Sequence, residues 1–141
     1  MKPFALVALT LALLGTGCAT VPLAPRAQDR MVARDPATAA IVIYRPPMLG
    51  SAFLHQVTID GVMVGSLATR TYLEIAVTPG THILGVGADA QLHRREFILE
   101  AGETMYIKSG ATMGSIVLSR MDARSGERAI RHSRQVLRLD Q

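Results

Sequence analysis

Apolar and polar residues alternate around two turns in the stretch from residue 57 to residue 82. Asp60-Gly61 separates two alternating runs. It predicts a tight β-hairpin, because both central residues of so short a turn take positive φ. Pro79-Gly80 predicts a type II turn, because proline presets φ at one position and glycine supplies the positive φ required at the next. The two signals indicate a chain that reverses direction through short strands.

Short runs of alternating apolar and polar residues also occur on both sides of this stretch, with turn signals about every eight to twelve residues. The predicted strands cover residues 40–44, 53–59, 62–67, 72–77, 82–87, 92–99, 105–109 and 113–119. The run 72–77 has apolar residues at every second position, so one face of that strand is expected to be buried. We expect 72–77 and 82–87 to form a hairpin around Pro79-Gly80. The pattern predicts an all-β fold, an antiparallel sandwich or barrel.

The period of the pattern changes after Arg120, where a C-terminal amphipathic α-helix is predicted. Asp122 can cap a helix that runs from about residue 122 to residue 138, and a later start capped by Ser125 is the alternative. Gly126 is expected to weaken the middle of this helix by about 1 kcal/mol. The apolar face of the predicted helix comprises Ala129, Ile130, Ser133, Val136 and Leu137.

An arginine face is predicted opposite that apolar face, within an arc of about 120°. It comprises Arg124, Arg128, Arg131, Arg134 and Arg138. If the apolar face packs on the sheet, the arginines point outward and can contact anionic lipid, lipopolysaccharide phosphates or an acidic partner. The alternative is a solvated surface with no partner, on which arginines are ordinary.

The start of the chain predicts export and lipid attachment. Lys2 precedes an apolar run over residues 4–14 that is too short to span a bilayer. Small residues at 15–17 then precede the single cysteine, Cys18, an arrangement that resembles a bacterial lipobox, although Gly15 replaces its usual apolar residue. We expect residues 1–17 to be a lipoprotein signal peptide and Cys18 to carry a covalent lipid. The alternatives are an ordinary signal peptide with a chance cysteine, or a buried structural cysteine.

Residues 18–38 are expected to be a flexible tether between the lipid and a folded domain of residues 39–139. They contain prolines and arginines and no apolar periodicity. About twenty flexible residues have an r.m.s. span of about 25 Å, so the domain would stay near the bilayer. The arginines of the tether could rest on anionic lipid or could simply keep it soluble. In the lipoproteins that this lipobox resembles, an aspartate after the cysteine favours inner-membrane retention. Ala19 is found there instead, so the resemblance implies the periplasmic face of the outer membrane.

The composition offers little for catalysis. The chain of 141 residues can build one domain with a real core, which must be aliphatic because aromatic residues make up only 4% and tryptophan is absent. The histidines (His55, His82, His93 and His132) do not have metal-ligand spacing, and no Gly-x-Ser-x-Gly motif occurs. We therefore predict no enzyme, no metal site and no cofactor besides the lipid. Despite a net charge of +4, nucleic acid is excluded as a partner because an exported protein does not ordinarily meet it.

An ordered set of motifs extends over residues of about 40–137. The set comprises Tyr44-Arg45-Pro46, Asp60-Gly61, Val64-Gly65, Tyr72, Pro79-Gly80-x-His82 and Ala101-Gly102-Glu103-x-x-Tyr106. It resembles the bacterial lipoprotein family catalogued as domain of unknown function 2846, and its Asp-Gly, Val-Gly and Pro-Gly-x-His core is similar to PEGA domains of envelope proteins. The resemblance implies an antiparallel β-sandwich of about seven short strands, prealbumin-like or immunoglobulin-like, and it implies no activity.

Two hypotheses about function follow. The first is a non-enzymatic lipoprotein, anchored through Cys18, that acts as an interaction module of the cell envelope. Its partner would be an envelope protein, anionic lipid or peptidoglycan, bound through the arginine face or an exposed sheet edge. The alternative is a periplasmic carrier or sensor that holds a small apolar ligand or a metal between the sheets.

Overall fold

Two β-sheets packed face to face, with one helix on the outside, make up most of the described chain. The structure is a computed structural model that describes residues 20–23, 35–48, 53–88, 91–112 and 115–139. The predicted signal peptide, Cys18 and residues 24–34 of the predicted tether lie outside these residues.

The strands are β1 (Ala39–Arg45), β2 (His55–Ile59), β3 (Val62–Leu67), β4 (Thr71–Val77), β5 (Gly80–Ala88), β6 (Gln91–Leu99), β7 (Thr104–Thr112), β8 (Ser115–Met121) and β9 (Arg134–Gln135). Helix α1 (Ala123–Arg131) lies between β8 and β9. The first sheet has the order β8-β7-β1-β4-β9, and the second has the order β3-β2-β5-β6. Neighbours are antiparallel, except that β7 is parallel to β1 and β9 is parallel to β4.

The predicted all-β sandwich with one C-terminal helix is confirmed. Each predicted strand corresponds to one of the strands from β1 to β8. The hairpin at Asp60-Gly61 is confirmed as well: these residues have φ of 51° and 85°, and β2 and β3 pair antiparallel on either side. Strand β9 was missed because a pair of residues carries no alternating pattern.

The hairpin predicted around Pro79-Gly80 is wrong. Gly80 does take a positive φ, of 132°. The strands that it joins nevertheless lie in different sheets, because β4 pairs with β1 and β9 while β5 pairs with β2 and β6. Turn chemistry specifies only that the chain bends there. Which strand pairs with the next is decided by contacts distant in sequence, and here they turn the bend into a corner between the sheets.

The core between the sheets is aliphatic, as the composition predicted. Its fully buried side chains include Ile41, Ile43, Val57, Leu67, Leu73, Leu84 and Ile107. Burying each such side chain stabilises the fold by about 1.5–3 kcal/mol relative to leaving it exposed. Gly65 of β3 permits a close approach of the sheets, because a Cβ at that position would lie 2.9 Å from Cδ1 of Leu73 on β4.

A second apolar cluster lies on the outer face of the first sheet, under α1. It comprises Val42, Tyr44, Tyr72, Tyr106 and Ile130. Because α1 covers this face, β1 is buried along its whole length, and β4 is buried on both faces from Thr71 to Ile75. The expectation that the strand at 72–77 has only one buried face is therefore wrong.

Helix α1 begins where it was predicted and ends earlier. The Asp122 carboxylate accepts a hydrogen bond from the Ser125 backbone N–H at 2.9 Å, which confirms Asp122 as the N-cap. The predicted helix ran to about residue 138, whereas α1 ends at Arg131 and the chain then becomes extended.

The outer edge of β4 explains this early end. The backbone N–H groups of Arg134 and Val136 donate to the carbonyl oxygens of Arg70 and Tyr72, both at 2.8 Å. The pairing fills an exposed sheet edge and places Val136 in the core, where it is only 2% exposed. A longer helix would lose both the hydrogen bonds to β4 and the burial of Val136. Hydrophobic periodicity along the chain does not indicate either of them.

Gly126→Ala should destabilise the protein, although alanine usually favours a helix by about 1 kcal/mol over glycine. A Cβ at position 126 would overlap the ring of Tyr106, which is itself buried, so either the ring or α1 must shift. Overpacking of this kind costs about 1–3 kcal/mol. We expect urea denaturation to show a net loss of up to about 2 kcal/mol in the free energy of unfolding.

Gly110→Ala in β7 is the matched control. A Cβ there would lie 3.8 Å from the carbonyl oxygen of Val117, an ordinary contact. The free energy of unfolding of this variant should lie within about 0.5 kcal/mol of the wild-type value. An increase in stability for Gly126→Ala would contradict the proposed packing of α1.

Candidate functional site

The predicted arginine face does not form one helical surface. Arg124, Arg128 and Arg131 lie on α1 and are exposed. Arg134 lies in β9 and Arg138 follows it; both are half-buried and interact with other groups of the protein. A candidate anion-binding surface on α1 is thus limited to the first three, which we call the helix arginines.

The described start of the chain, residues 20–23, is bound to the folded domain. Leu23 forms an antiparallel β-bridge with Val136, and the carbonyl oxygen of Pro22 accepts a hydrogen bond from the Leu137 N–H at 2.9 Å. Val21 packs against the main core. We call these residues the N-terminal segment. They were predicted as part of a tether without structure of its own, and that prediction is wrong for them.

The other end of the predicted tether is also ordered. The Thr38 N–H donates to the carbonyl oxygen of Asp35 at 3.0 Å, and the Asp35 carboxylate accepts from the Ala37 N–H at 2.9 Å. This turn leads directly into β1. The prediction of a flexible tether over residues 18–38 therefore remains only for the part outside the described residues.

A buried arginine occupies one end of the sandwich interior. Arg45 continues the inward-facing positions Ile41 and Ile43 of β1 and has no exposed surface. Its Nη1 donates to the carbonyl oxygens of Phe53 and, at 3.0 Å, Leu67. Its Nε and Nη2 atoms are buried without a hydrogen-bond partner. Burial lowers the pKa of Arg45, yet an arginine remains charged, so a cation lies at this end of the core.

A neutral histidine adjoins this cation. His55 of β2 is buried, and its Nδ1 lies 2.8 Å from Oγ of Ser109 on β7. Burial first, and the charge of Arg45 second, lower the pKa of His55 from 6.5 to about 4. In the tautomer with its proton on Nε2, the neutral ring accepts a hydrogen bond from the Ser109 hydroxyl at Nδ1; in the other tautomer, Nδ1 donates to that oxygen. Sequence analysis did not single out these residues as a group, although the alternation in β1 could have shown that Arg45 faces inward.

A groove lies near Arg45, on the face of the first sheet that carries α1. Its volume is about 530 Å³, and its lining comprises Tyr44, Pro46, Pro47, Arg70, Ala129, His132 and Ser133. Arg70 takes a positive φ of 59° at the corner between β3 and β4. The groove thus combines aromatic and proline surface with a permanent cation, which suits a partner that is both apolar and acidic. Sequence analysis missed it because its walls come from three separate parts of the chain.

A second histidine, His82, connects the Asp60-Gly61 turn with the chain next to the Pro79-Gly80 turn. His82 Nδ1 lies 2.7 Å from Oδ2 of Asp60, and its Nε2 lies 2.7 Å from the carbonyl oxygen of Thr78. Both neighbours are acceptors, so the geometry favours the imidazolium, which donates from both nitrogens. The hydrogen bond to Asp60 is the main cause that raises the pKa of His82. The Ile83 N–H, followed by His82, lowers the pKa of Asp60.

Within the described residues, no group of three or more His, Cys, Asp or Glu side chains could hold a metal ion, and no helix is long and apolar enough to cross a membrane. No protein-family model matches the chain, and comparisons with curated proteins and with solved structures also gave no match. The resemblance to the lipoprotein family therefore remains a prediction.

The two buried histidines should give stability opposite pH dependences. The pKa of His55 is lowered from 6.5 to about 4 in the folded protein. Between these two pH values the histidine is protonated in the unfolded chain and neutral in the folded protein, so the free energy of unfolding falls on acidification. Because the pKa of His82 is raised, its contribution is complete below pH 6.5 and is lost as pH rises through the folded pKa.

Urea denaturation at pH 5 and pH 8 measures both effects. His55→Gln should remove an acid-induced loss of about 1–3 kcal/mol that the wild type shows between these pH values. His82→Gln should cost more stability at pH 5 than at pH 8, by less than about 1 kcal/mol because the partner carboxylate is partly exposed. Each variant is the control for the other, and equal slopes for both would contradict the assigned protonation states.

Proposed function

We propose that this protein is a non-enzymatic, lipid-anchored interaction module of the bacterial envelope, held through Cys18 on the periplasmic face of the outer membrane. The observation that carries the proposal is the bound N-terminal segment, which begins two residues after Cys18. A lipid attached so close to a bound segment would hold the domain in a defined position against the bilayer.

The bound N-terminal segment shortens the expected distance between the lipid and the folded domain. A flexible tether would have allowed a span of about 25 Å between lipid and domain. Two residues of extended chain span at most about 7 Å, so a lipidated Cys18 would lie that close to Thr20. We infer that the module works at the membrane surface rather than reaching across the periplasm.

Two surfaces available for a partner are cationic. The helix arginines are exposed in one short helix, and the groove beside its C-terminal end contains Arg70. Arginine binds carboxylate and phosphate groups through paired N–H donors. These features favour anionic lipid headgroups, an acidic segment of an envelope protein or acidic groups of peptidoglycan as the partner.

The alternative function, a carrier or sensor, is supported by one observation. The Nε and Nη2 atoms of Arg45 are buried without a partner, which favours an anionic ligand over an apolar ligand or a metal. The close contact between Gly65 and Leu73 counts against a large ligand between the sheets. We therefore keep the envelope module as the proposal.

Lipid attachment at Cys18 is tested by growing bacteria that express the full chain with labelled palmitate. The wild type should incorporate the label and appear in the outer-membrane fraction. Cys18→Ala should lose both label and membrane association, because Cys18 is the only cysteine in the chain. An unlabelled wild type that is recovered in the soluble periplasmic fraction would refute the proposed anchor.

The cationic partner surface is tested by replacing the helix arginines with glutamine. Co-sedimentation with vesicles containing phosphatidylglycerol should be strong at low salt for the Cys18→Ser chain and should weaken several-fold in the triple variant. Replacing Arg94, Lys108 and Arg120 with glutamine removes the same charge from other surfaces and is the matched control. Equal loss in both triple variants would mean that only net charge matters.

A further inference from the structure

The chain near the lipid site runs alongside the C-terminal segment, which we define as residues 136–139. The bridge between Leu23 and Val136 is antiparallel, and Pro22 receives the hydrogen bond of Leu137. Followed backwards, the N-terminal segment therefore runs from Leu23 toward Thr20 in the same direction as the C-terminal segment runs toward Leu139. Thr20 therefore lies toward the Leu139 end of this side of the sandwich.

The C-terminal segment closes one side of the sandwich. Val136 hydrogen-bonds to β4 in the first sheet, and the Leu139 N–H donates to the carbonyl oxygen of Val64 in β3 at 3.1 Å. Strand β3 is an edge of the second sheet, so this segment spans the gap between the sheets. On the opposite side the sheets meet directly, where Nη1 of Arg95 donates to the carbonyl oxygen of Leu118 at 3.1 Å.

Of the nine large apolar side chains that are exposed in the described residues, five lie on or beside the C-terminal segment. Leu23, Leu137 and Leu139 are 40%, 41% and 57% exposed, and we call these three the leucine rim. Val62 and Met63 of the adjoining β3 are exposed as well. A single exposed leucine on a soluble protein needs no explanation, whereas several along one side mark a surface that contacts something apolar.

We propose that the leucine rim inserts into the interface of the bilayer that holds the Cys18 lipid, so that this side of the sandwich faces the membrane. The inference rests on the proposed lipid anchor, which fixes the occupant: within about 7 Å of Thr20 the chain would enter the headgroup layer. Leucine side chains at the boundary between headgroups and acyl chains lose unfavourable contact with water.

The consequence is a fixed orientation. One lipid attached to a flexible tether lets a domain rotate freely, whereas a lipid together with an inserted rim defines which surface faces the bilayer and which faces the periplasm. Strand β6 at the far edge of the second sheet, with Ile98 exposed, would then face away from the membrane. That surface would remain available to a periplasmic partner.

Tryptophan fluorescence tests this orientation, because the chain contains no tryptophan and a single cysteine. The mature chain of residues 18–141, which includes every described element, is coupled through Cys18 to a maleimide lipid in phosphatidylglycerol-containing vesicles. Leu139→Trp places one indole in the rim, and Ile98→Trp places one on β6 as the control. Brominated lipids should quench more than roughly half of the emission in the first variant and leave the second unchanged.

A second pair of variants tests the rim itself. In the Leu139→Trp chain, Leu23→Ser with Leu137→Ser should restore most of the quenched emission, whereas Ile83→Ser on the second sheet should not. Equal quenching at positions 139 and 98, or none at 139 in fully coupled protein, would overturn the inference. Because the coupling is chemical, this result is independent of whether bacteria attach lipid to Cys18, which palmitate labelling decides separately.

Discussion

The outer edge of β4 is the constraint on which the candidate surface depends. The carbonyl oxygens of Arg70 and Tyr72 on that edge accept hydrogen bonds from the chain after α1. This pairing ends the helix at Arg131, places Val136 in the core and creates a new edge for Leu23. The position of the N-terminal segment therefore follows from the satisfaction of backbone acceptors at one sheet edge.

The polar end of the core follows a different rule. A buried guanidinium cannot lose its proton, so Arg45 stays charged and the groups beside it must adapt. His55 adapts by remaining neutral at ordinary pH and by bonding to Ser109. A second buried cation beside the first would add repulsion to the cost of removing both from water. Burial first, and the charge of Arg45 second, thus keep His55 neutral.

The motif residues shared by the two turns have structural tasks. Asp60 takes a positive φ at the hairpin, and its carboxylate binds both the Ile83 N–H and His82. His82 in turn binds the chain at Thr78, just before the corner at Pro79-Gly80. The histidine therefore ties a hairpin within one sheet to a corner between the sheets. This arrangement explains the spacing of the motif without any catalytic role.

The amino-acid sequence by itself determined the strands from β1 to β8, the Asp60-Gly61 hairpin and the Asp122 cap, because each depends on residues close together in the chain. It also determined that the core is aliphatic, because that follows from the composition. Only the tertiary structure decided that Pro79-Gly80 joins two sheets, that α1 ends at Arg131 and that Leu23 is bound. Strand pairing depends on hydrogen bonds between distant segments. Hydrophobic periodicity along the chain does not depend on those bonds. The helix that carries the predicted arginine face and the predicted tether were therefore both too long.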